Sequence, residues 1–412
     1  MNLAINQDRL LSEIEALAQI SDAEFPAVTR VVFTPTDLKA RTWLRAKCSE
    51  QGLAVRQDAI GNIFARWTGT DETAAPVATG SHIDAIPNAG KYDGVVGVLG
   101  GLEAIRALQH SGFRPTRSIE LILFTSEEPT RFGIGCLGSR MLSGALTAEA
   151  ARRLTDTSGQ PFERVRAKAD MHGELELVQL KSGHFHAFIE LHIEQGPLLE
   201  RAHVPLGIVE SIAAPASYQF IAEGTGGHAG GVLMTERKDA LCAAAEIILK
   251  VEEAALASGS PDTVATVGIC DVFPAAVNSI PSRVRLTLDL RDTDLPRRDK
   301  VLSTIENKSR HVSEKRGVSI QFQIINADAP AICSSAVTDA VIRSCNKHNL
   351  PFQKMVSRAY HDSLFMSRIT PTGMLFIPCR NGYSHRPDEF ASPEDISRGT
   401  LILAETLAEL SH

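Results

Sequence analysis

Four short apolar runs in this chain each lead into ionisable residues, and this pattern constrains the fold more than any other feature. "PVATGSHIDAIP" reaches His82 and Asp84, and "IELILFTSEE" reaches Glu127 and Glu128. "HAFIELHIEQGP" carries His192, with Gln195 just beyond, and "GMLFIPCRNGYSH" leads to Tyr383 and His385. Short apolar runs bounded by Gly and Pro read as buried strands. Helical patterns lie between them. "GVVGVLGGLEAIRALQHSG" sets Val95, Val98, Leu99, Leu102 and Ile105 at helical spacing and stops at Gly112. Strands alternating with helices predict an α/β layered domain, a mixed, mostly parallel sheet with helices on both faces. In open sheets of this kind the carboxyl ends of the strands form the ligand crevice. Polar clusters delivered to one edge can therefore converge.

The pattern changes after about Ile212. "ASYQFIAEG" reads as a strand and "ERKDALCAAAEIILKVEEAALASG" as a helix. "DTVATVGICDVFP" and "SRVRLTLDLRD" read as two strands, a helix follows to about Arg316, and "SIQFQIIN" reads as a last strand. The order β-α-β-β-α-β fits a ferredoxin-like α+β unit. From Arg283 to Arg291 the strand alternates, with Val284, Leu286, Leu288 and Leu290 on one face and Arg283, Arg285, Thr287, Asp289 and Arg291 on the other. The α/β pattern resumes at about Asp328. The expected organisation is a catalytic domain of residues 1–212 and 328–412 with an inserted domain of residues 213–327. A chain of 412 residues is long enough for two domains.

The net charge is −7 and no basic tract occurs, which disfavours a nucleic-acid partner. No run reaches the ~20 apolar residues of a membrane span. The opening "MNLAINQDRLLSEIEALAQI" is an acidic amphipathic helix pattern, without the basic flank and apolar centre of a signal peptide. The seven cysteines are scattered, with no Cys-x-x-Cys, which suits a reducing cytosol. The expectation is a cytoplasmic protein acting on a small molecule.

Each ionisable residue alone has an ordinary explanation. Asp93 in "KYDG" precedes a helix pattern, where Asp is a good cap. A lone His near a strand end is usually hydrogen-bonded or at the surface. The pair Glu127-Glu128 is harder to dismiss, because two adjacent like charges directly follow "IELILF". Burying them calls for a cation or a strong hydrogen-bond network. Together, four carboxylates (Asp84, Asp93, Glu127, Glu128) and three histidines (His82, His192, His385) are enough for two borderline metal ions sharing one carboxylate.

"GSHIDAIP", "KYDGVVGVLG", "FTSEEPTRFG", "ELHIEQGP", "GGHAG" and "SHRPDEF" resemble the dinuclear M20-type metallo-amidohydrolases. Within that family they look like the N-carbamoyl-amino-acid, allantoate and ureidoglycolate amidohydrolase branch, and most like its ureidoglycolate members. The resemblance runs along essentially the whole chain. It implies that His82 and His192 hold one ion, Glu128 and His385 the other, and that Asp93 bridges them. It implies Glu127 as the general base, with Asp84 accepting the second ring N–H of His82. In the inserted domain it implies a lid histidine at His228, and Asn278 and Arg291 for the substrate carboxylate, where an arginine fork fits bidentately. Gln195, His361 and Tyr383 are further candidates for the substrate pocket. For Gln195 the turn at Gly196-Pro197 is the alternative, and for His361 with Asp362 a helix cap. The lid segment departs from its carbamoylase relatives, with Gly231-Val232-Leu233 where those carry a Thr/Ser/Pro-type stretch.

The resemblance implies a homodimer, with each lid histidine acting in the partner's site. It implies two divalent ions per subunit. Mn²⁺ is favoured, and Zn²⁺, Co²⁺ and Ni²⁺ also suit an oxygen and imidazole donor set. The expected activity is cleavage of a ureido or carbamoyl C–N bond in a small carboxylate, foremost (S)-ureidoglycolate. The alternatives are an N-carbamoyl-L-amino acid or allantoate amidohydrolase, a peptidase of the same superfamily, and an inactive metal-binding scaffold. The intact Glu127 argues against the scaffold, and the Asn278 and Arg291 pair against long peptides.

Overall fold

The computed structural model describes residues 3–412. It divides into two compact units. One comprises residues through Glu210, Ile332–Met355 and His361–His412, and the other Ser211–Ala331 and Val356–Tyr360. The short return at Val356–Tyr360 carries no change of composition that would mark it in the sequence.

The first unit is built on a nine-stranded sheet. Four parallel strands lie side by side at its centre, in the order Thr372–Ile377, Ala187–Ile193, Val77–Ser81 and Ile119–Leu123. Its margins are antiparallel. Gly207–Ile212 pairs with Thr372–Ile377 on one side, and Ile63–Trp67 followed by Ala54–Gln57 extends the other. Successive side chains of a strand point to opposite faces. Ile119, Leu121 and Leu123 enter one core while Ile122 and Phe124 enter the other, and Ile189 and Leu191 are likewise separated from Phe188. The helices Gln7–Ala18, Val95–His110, Ser335–Lys347 and Pro393–Leu410 cover the first face. Leu137–Leu142 and Phe162–Lys168 cover the second. Local chemistry starts these helices where they start. Ser392 precedes Pro393 and accepts the N–H of Asp395 at 3.0 Å, and Asn6 accepts that of Arg9 at 3.0 Å.

Val95–His110 is buried along nearly its whole length. Its glycines allow this. A Cβ on Gly97 would lie 2.4 Å from the carbonyl oxygen of Leu191, so a side chain there would push the helix off the sheet.

The second unit is a four-stranded antiparallel sheet in the order Val264–Phe273, Arg283–Asp292, Ala214–Glu223 and Ser319–Ala327. Helices Ala240–Leu256 and Leu295–Arg316 follow the first and third strands in chain order. This is the ferredoxin-like arrangement. Val284, Leu286, Leu288 and Leu290 share one core with residues of both helices, while Arg283 and Arg285 are exposed on the other face.

Candidate active site

The carboxyl ends of the four parallel strands carry the ionisable clusters. Val77–Ser81 ends one residue before His82. Ile119–Leu123 ends shortly before Glu127 and Glu128, His192 is the penultimate residue of Ala187–Ile193, and Thr372–Ile377 leads to the loop of His385. Asp93 comes from the segment before Val95–His110. The cap of that helix is Gly94, at φ +66°, so Asp93 is free of the capping role. A Cβ on Gly94 would stand 2.5 Å from the His82 ring, which makes glycine a requirement of the site as well as of the backbone.

The Asp93 carboxylate has two distinct sides. Its Oδ1 faces His82 Nε2 at 3.5 Å and His192 Nε2 at 3.2 Å. Its Oδ2 faces His385 Nε2 at 3.3 Å, and His385 Nε2 is 3.1 Å from Glu128 Oε1. Gln195 Nε2 donates to Oδ2 at 2.7 Å and Ser384 Oγ at 2.5 Å, fixing the carboxylate's orientation. The groups His82–Asp93–His192 and Asp93–Glu128–His385 could each hold a metal ion, with Asp93 common to both.

Hydrogen bonding on the far side of each ring tests that fit. His82 Nδ1 lies 2.9 Å from the carbonyl oxygen of Asp84, and His192 Nδ1 2.9 Å from that of Ile193. A carbonyl only accepts, so both rings carry hydrogen on Nδ1 and turn an Nε2 lone pair toward Asp93 when neutral. The N–H of Gly94 donates to His192 Nε2 at 3.1 Å, consistent with that tautomer. With the rings neutral, lone pairs face a carboxylate oxygen, an arrangement that either a proton on Nε2 or a metal cation between them satisfies. The donor set fits divalent ions.

The electrostatics point the same way. Burial pulls the His82 imidazole down, but Glu127, Asp93 and Asp84 outweigh it and hold it well above its ordinary value. Asp93 and Glu128 raise His385 to about 11. Burial works to raise Asp93, yet hydrogen bonds from His192, His385 and His82 hold it well below the carboxylate range. Glu127 goes the opposite way. Burial, with Glu128, Asp362 and Asp84 nearby, pushes its carboxyl well above the usual value against the opposing His82. Its Oε2 is 3.7 Å from His82 Nε2.

Asp84 accepts the ring N–H of His82 through its main-chain oxygen, while its carboxylate Oδ1 is 3.7 Å away. The carboxylate accepts the backbone N–H groups of Glu127 at 3.2 Å and Glu128 at 3.0 Å, holding that turn. Burial raises Asp84 to about 6 against the attraction of His82.

Gln195 is held against Asp93, with φ +54°. His361 occupies the cap position of Asp362–Met366 without a side-chain cap bond, and its ring meets that of His192 edge-on at 4.5 Å. Glu190, His192 and His361 form a third compact group. Glu190 is already satisfied there by Ser81 at 2.7 Å and by Ser363 Oγ at 2.6 Å, which suits a hydrogen-bonded acid better than a ligand. Tyr383 lies under the Arg386 guanidinium, 3.9 Å from its ring centroid.

In the second unit His228 and Asn278 are exposed neighbours. Gly227–His228 pairs with Ser279–Ile280, and Ala229 N–H donates to Asn278 O at 2.9 Å. Arg291 stands at the other end of strand Arg283–Asp292, its fork on the Asp289 carboxylate at 2.9 Å twice over. Eight residues of strand at ~3.3 Å each put roughly 26 Å between Arg283 and Arg291. Asn278, before the start of that strand, and Arg291, near its end, are therefore far apart within one copy of this unit.

Sequence reasoning missed Glu389 and Ser384. Glu389 Oε1 accepts the N–H groups of Tyr92 at 2.8 Å and Asp93 at 3.1 Å, and its Oε2 accepts Ser384 Oγ at 3.0 Å. Burial and the Asp93 charge raise it to about 7.

The model of peptidase family M20/M25/M40 matches residues 78–409. A ureidoglycolate hydrolase of Oryza sativa subsp. japonica is 50% identical over 414 residues, covering 99% of this chain and 85% of the relative. An N-carbamoyl-L-amino-acid amidohydrolase of Pseudomonas sp. (strain NS671) is 36% identical, covering 98% of each chain. A crystal structure of AtUAH in complex with glyoxylate superposes with a TM-score of 0.92 at 50% identity, covering 99% of this chain and 98% of that one.

Proposed function

This chain belongs to peptidase family M20/M25/M40, and within it we propose a two-metal hydrolase that cleaves the ureido C–N bond of (S)-ureidoglycolate. The observation that carries the reading is the two-sided Asp93 carboxylate, which turns one oxygen to His82 and His192 and the other to His385. The 50% identity to the rice ureidoglycolate hydrolase supports the choice of substrate.

In this reading His82 and His192 hold one ion, Glu128 and His385 the other, and Asp93 both. When bound, the ions polarise the scissile carbonyl and acidify water. Mn²⁺ is the favoured metal. Glu127 takes the proton of the attacking water and delivers it to the leaving nitrogen. Burial and its acidic neighbours raise its carboxyl, so it holds a proton more readily than an exposed glutamate. Gln195, Ser384 and the Asp84 main chain hold the ligands in place. Loss of ammonia and carbon dioxide from the ureido group leaves an amino-hydroxy acid, which expels a second ammonia to give glyoxylate.

The substrate carboxylate binds the Arg291 fork, with His361 and Tyr383 lining the pocket. His228 polarises the carbonyl. The active form is a homodimer, in which His228 and Asn278 come from the partner chain and Arg291 from the chain's own lid. The place of Arg291 at the far end of strand Arg283–Asp292, with Asn278 before its start, supports this division. Seven free cysteines support a reducing, cytoplasmic setting, and no helix among the described residues is long and apolar enough to cross a membrane.

A second reading, N-carbamoyl-L-amino acid hydrolysis, is favoured by the 36% identity to the Pseudomonas amidohydrolase. Turnover of metal-reconstituted protein on ureidoglycolate, allantoate and several N-carbamoyl-L-amino acids separates the two. The highest kcat/KM is expected on (S)-ureidoglycolate. A higher value on a carbamoyl amino acid would replace the first reading with the second.

A further inference from the structure

Glu127 is followed nine residues later by Cys136, a fully buried cysteine in a left-handed conformation at φ +55°. The turn that carries it is clamped to the strand extension beneath. Cys136 N–H donates to Glu127 O at 2.7 Å, Leu137 N–H to Ser126 O at 2.9 Å, and Gly138 N–H to Thr125 O at 2.8 Å. Ser139, one turn on, donates to Asp362 Oδ1 at 2.5 Å. The clamp brings the Cys136 thiol to 3.3 Å from Glu127 Oε1. Buried free cysteines usually serve as small apolar fillers. Here the sulfur meets a carboxylate oxygen at hydrogen-bonding distance, in a place where bulk water cannot supply a donor.

We propose that Cys136 is a positioning residue for Glu127, its S–H donating to Oε1 and leaving Oε2 as the oxygen that exchanges the proton. This rests on the reading of Glu127 as the general base. A carboxylate with one oxygen tethered loses its rotation about the terminal bond, so the other oxygen keeps a fixed direction. A thiol is a weak enough donor to orient the group while leaving its basicity in place.

The test compares Cys136→Ala and Cys136→Ser, each loaded with Mn²⁺, for kcat, KM and metal content. Cys136→Ala is expected to lose about tenfold in kcat, the rate equivalent of one modest hydrogen bond, with KM and bound metal unchanged. Cys136→Ser is expected to recover most of that loss, since it restores a donor in less volume. Equal losses in both variants would make the role one of packing and overturn the proposal, as would full kcat in the alanine variant. Infrared spectroscopy of the S–H stretch gives a second measure should the alanine variant fold poorly. The band missing from Cys136→Ser is expected to shift in Glu127→Gln, and an unmoved band would overturn the contact. Failure of the underlying reading is visible separately, as near-normal turnover of Glu127→Gln with metal bound, and it would remove the Cys136 role with it. An inactive Glu127→Gln beside a fully active Cys136→Ala would remove the Cys136 role alone.

Discussion

His82 Nε2 faces Asp93 Oδ1 at 3.5 Å, and the other nitrogen of the ring is committed to a carbonyl. Once the ring is neutral, two acceptors therefore confront one another in a buried place, which a cation between them relieves. On the other side of the same carboxylate, His385 and Glu128 repeat the demand for a cation. Asp93→Ala is expected to lose both ions together, because one carboxylate serves both groups. Elemental analysis of the purified variant checks this. Retention of one ion would make Asp93 a terminal ligand.

The same pairing sets a pH dependence. In chelated protein His385 is raised from 6.5 to about 11, so its stabilising contribution is complete below pH 6.5 and is lost as pH rises toward 11. Glu389, raised from 4.5 to about 7, adds a fall in stability between those values as it is forced to ionise. Metal binding displaces the histidine protons, so the ions stabilise more as pH rises. The difference in Tm between loaded and chelated protein is expected to grow with pH above 6.5. A constant difference would show that these histidines are not the ligands.

Gly94→Ala tests the contact with His82. The substitution puts a side chain at φ +66°, ψ −40°, which L residues rarely adopt, and its Cβ would meet the ring at 2.5 Å. Gly112→Ala also falls at a positive φ, +76°, but points into open space. Both are expected to lower Tm by a few degrees, and Gly94→Ala alone to lose metal and activity. Equal metal content in the two would remove the steric argument.

His228→Ala and Glu127→Gln are each expected to be nearly inactive, the latter by on the order of 10²-fold or more in kcat with metal retained. If His228 serves the partner's site, a mixed dimer regains one site with both residues intact. Random exchange then restores activity toward about one quarter of wild type. No recovery, with exchange verified by mass spectrometry of tagged subunits, would put His228 in its own chain's site or outside the mechanism.

Much of the scaffold could be read from side-chain period alone. The alternation through Arg283–Arg291 buries one type of residue in a regular rhythm, and the helical spacing of the large apolar residues through Val95–His110 marks that helix although nearly all of it is buried. Both rhythms are properties of local sequence. The candidate ligands His82, Glu128, His192 and His385 stood out for a related reason, since they end or follow apolar strands. What escaped depends on partners far away in the chain. Glu389 reads as one of two surface acids in "PDEF", yet Asp388 is exposed and Glu389 is buried because it accepts the amides of Tyr92 and Asp93. Asp84 was recognised, but a residue name does not say whether its carbonyl or its carboxylate does the holding. The strands Ala54–Gln57 and Ile63–Trp67 went unread for different reasons: the first is four residues long with no buried residue, and the second is buried at three successive positions without alternation.

The bonds from Glu389 to Tyr92 and Asp93 also order events in time. They join residues nearly 300 positions apart, and Ser384 and His385 arrive in the same stretch. A chain still emerging from the ribosome carries Asp93 with His82, His192 and Gln195 long before Ser384 and His385 have been synthesised. The residues around the carboxylate are thus made in two instalments, and the last tenth of the polypeptide supplies the second.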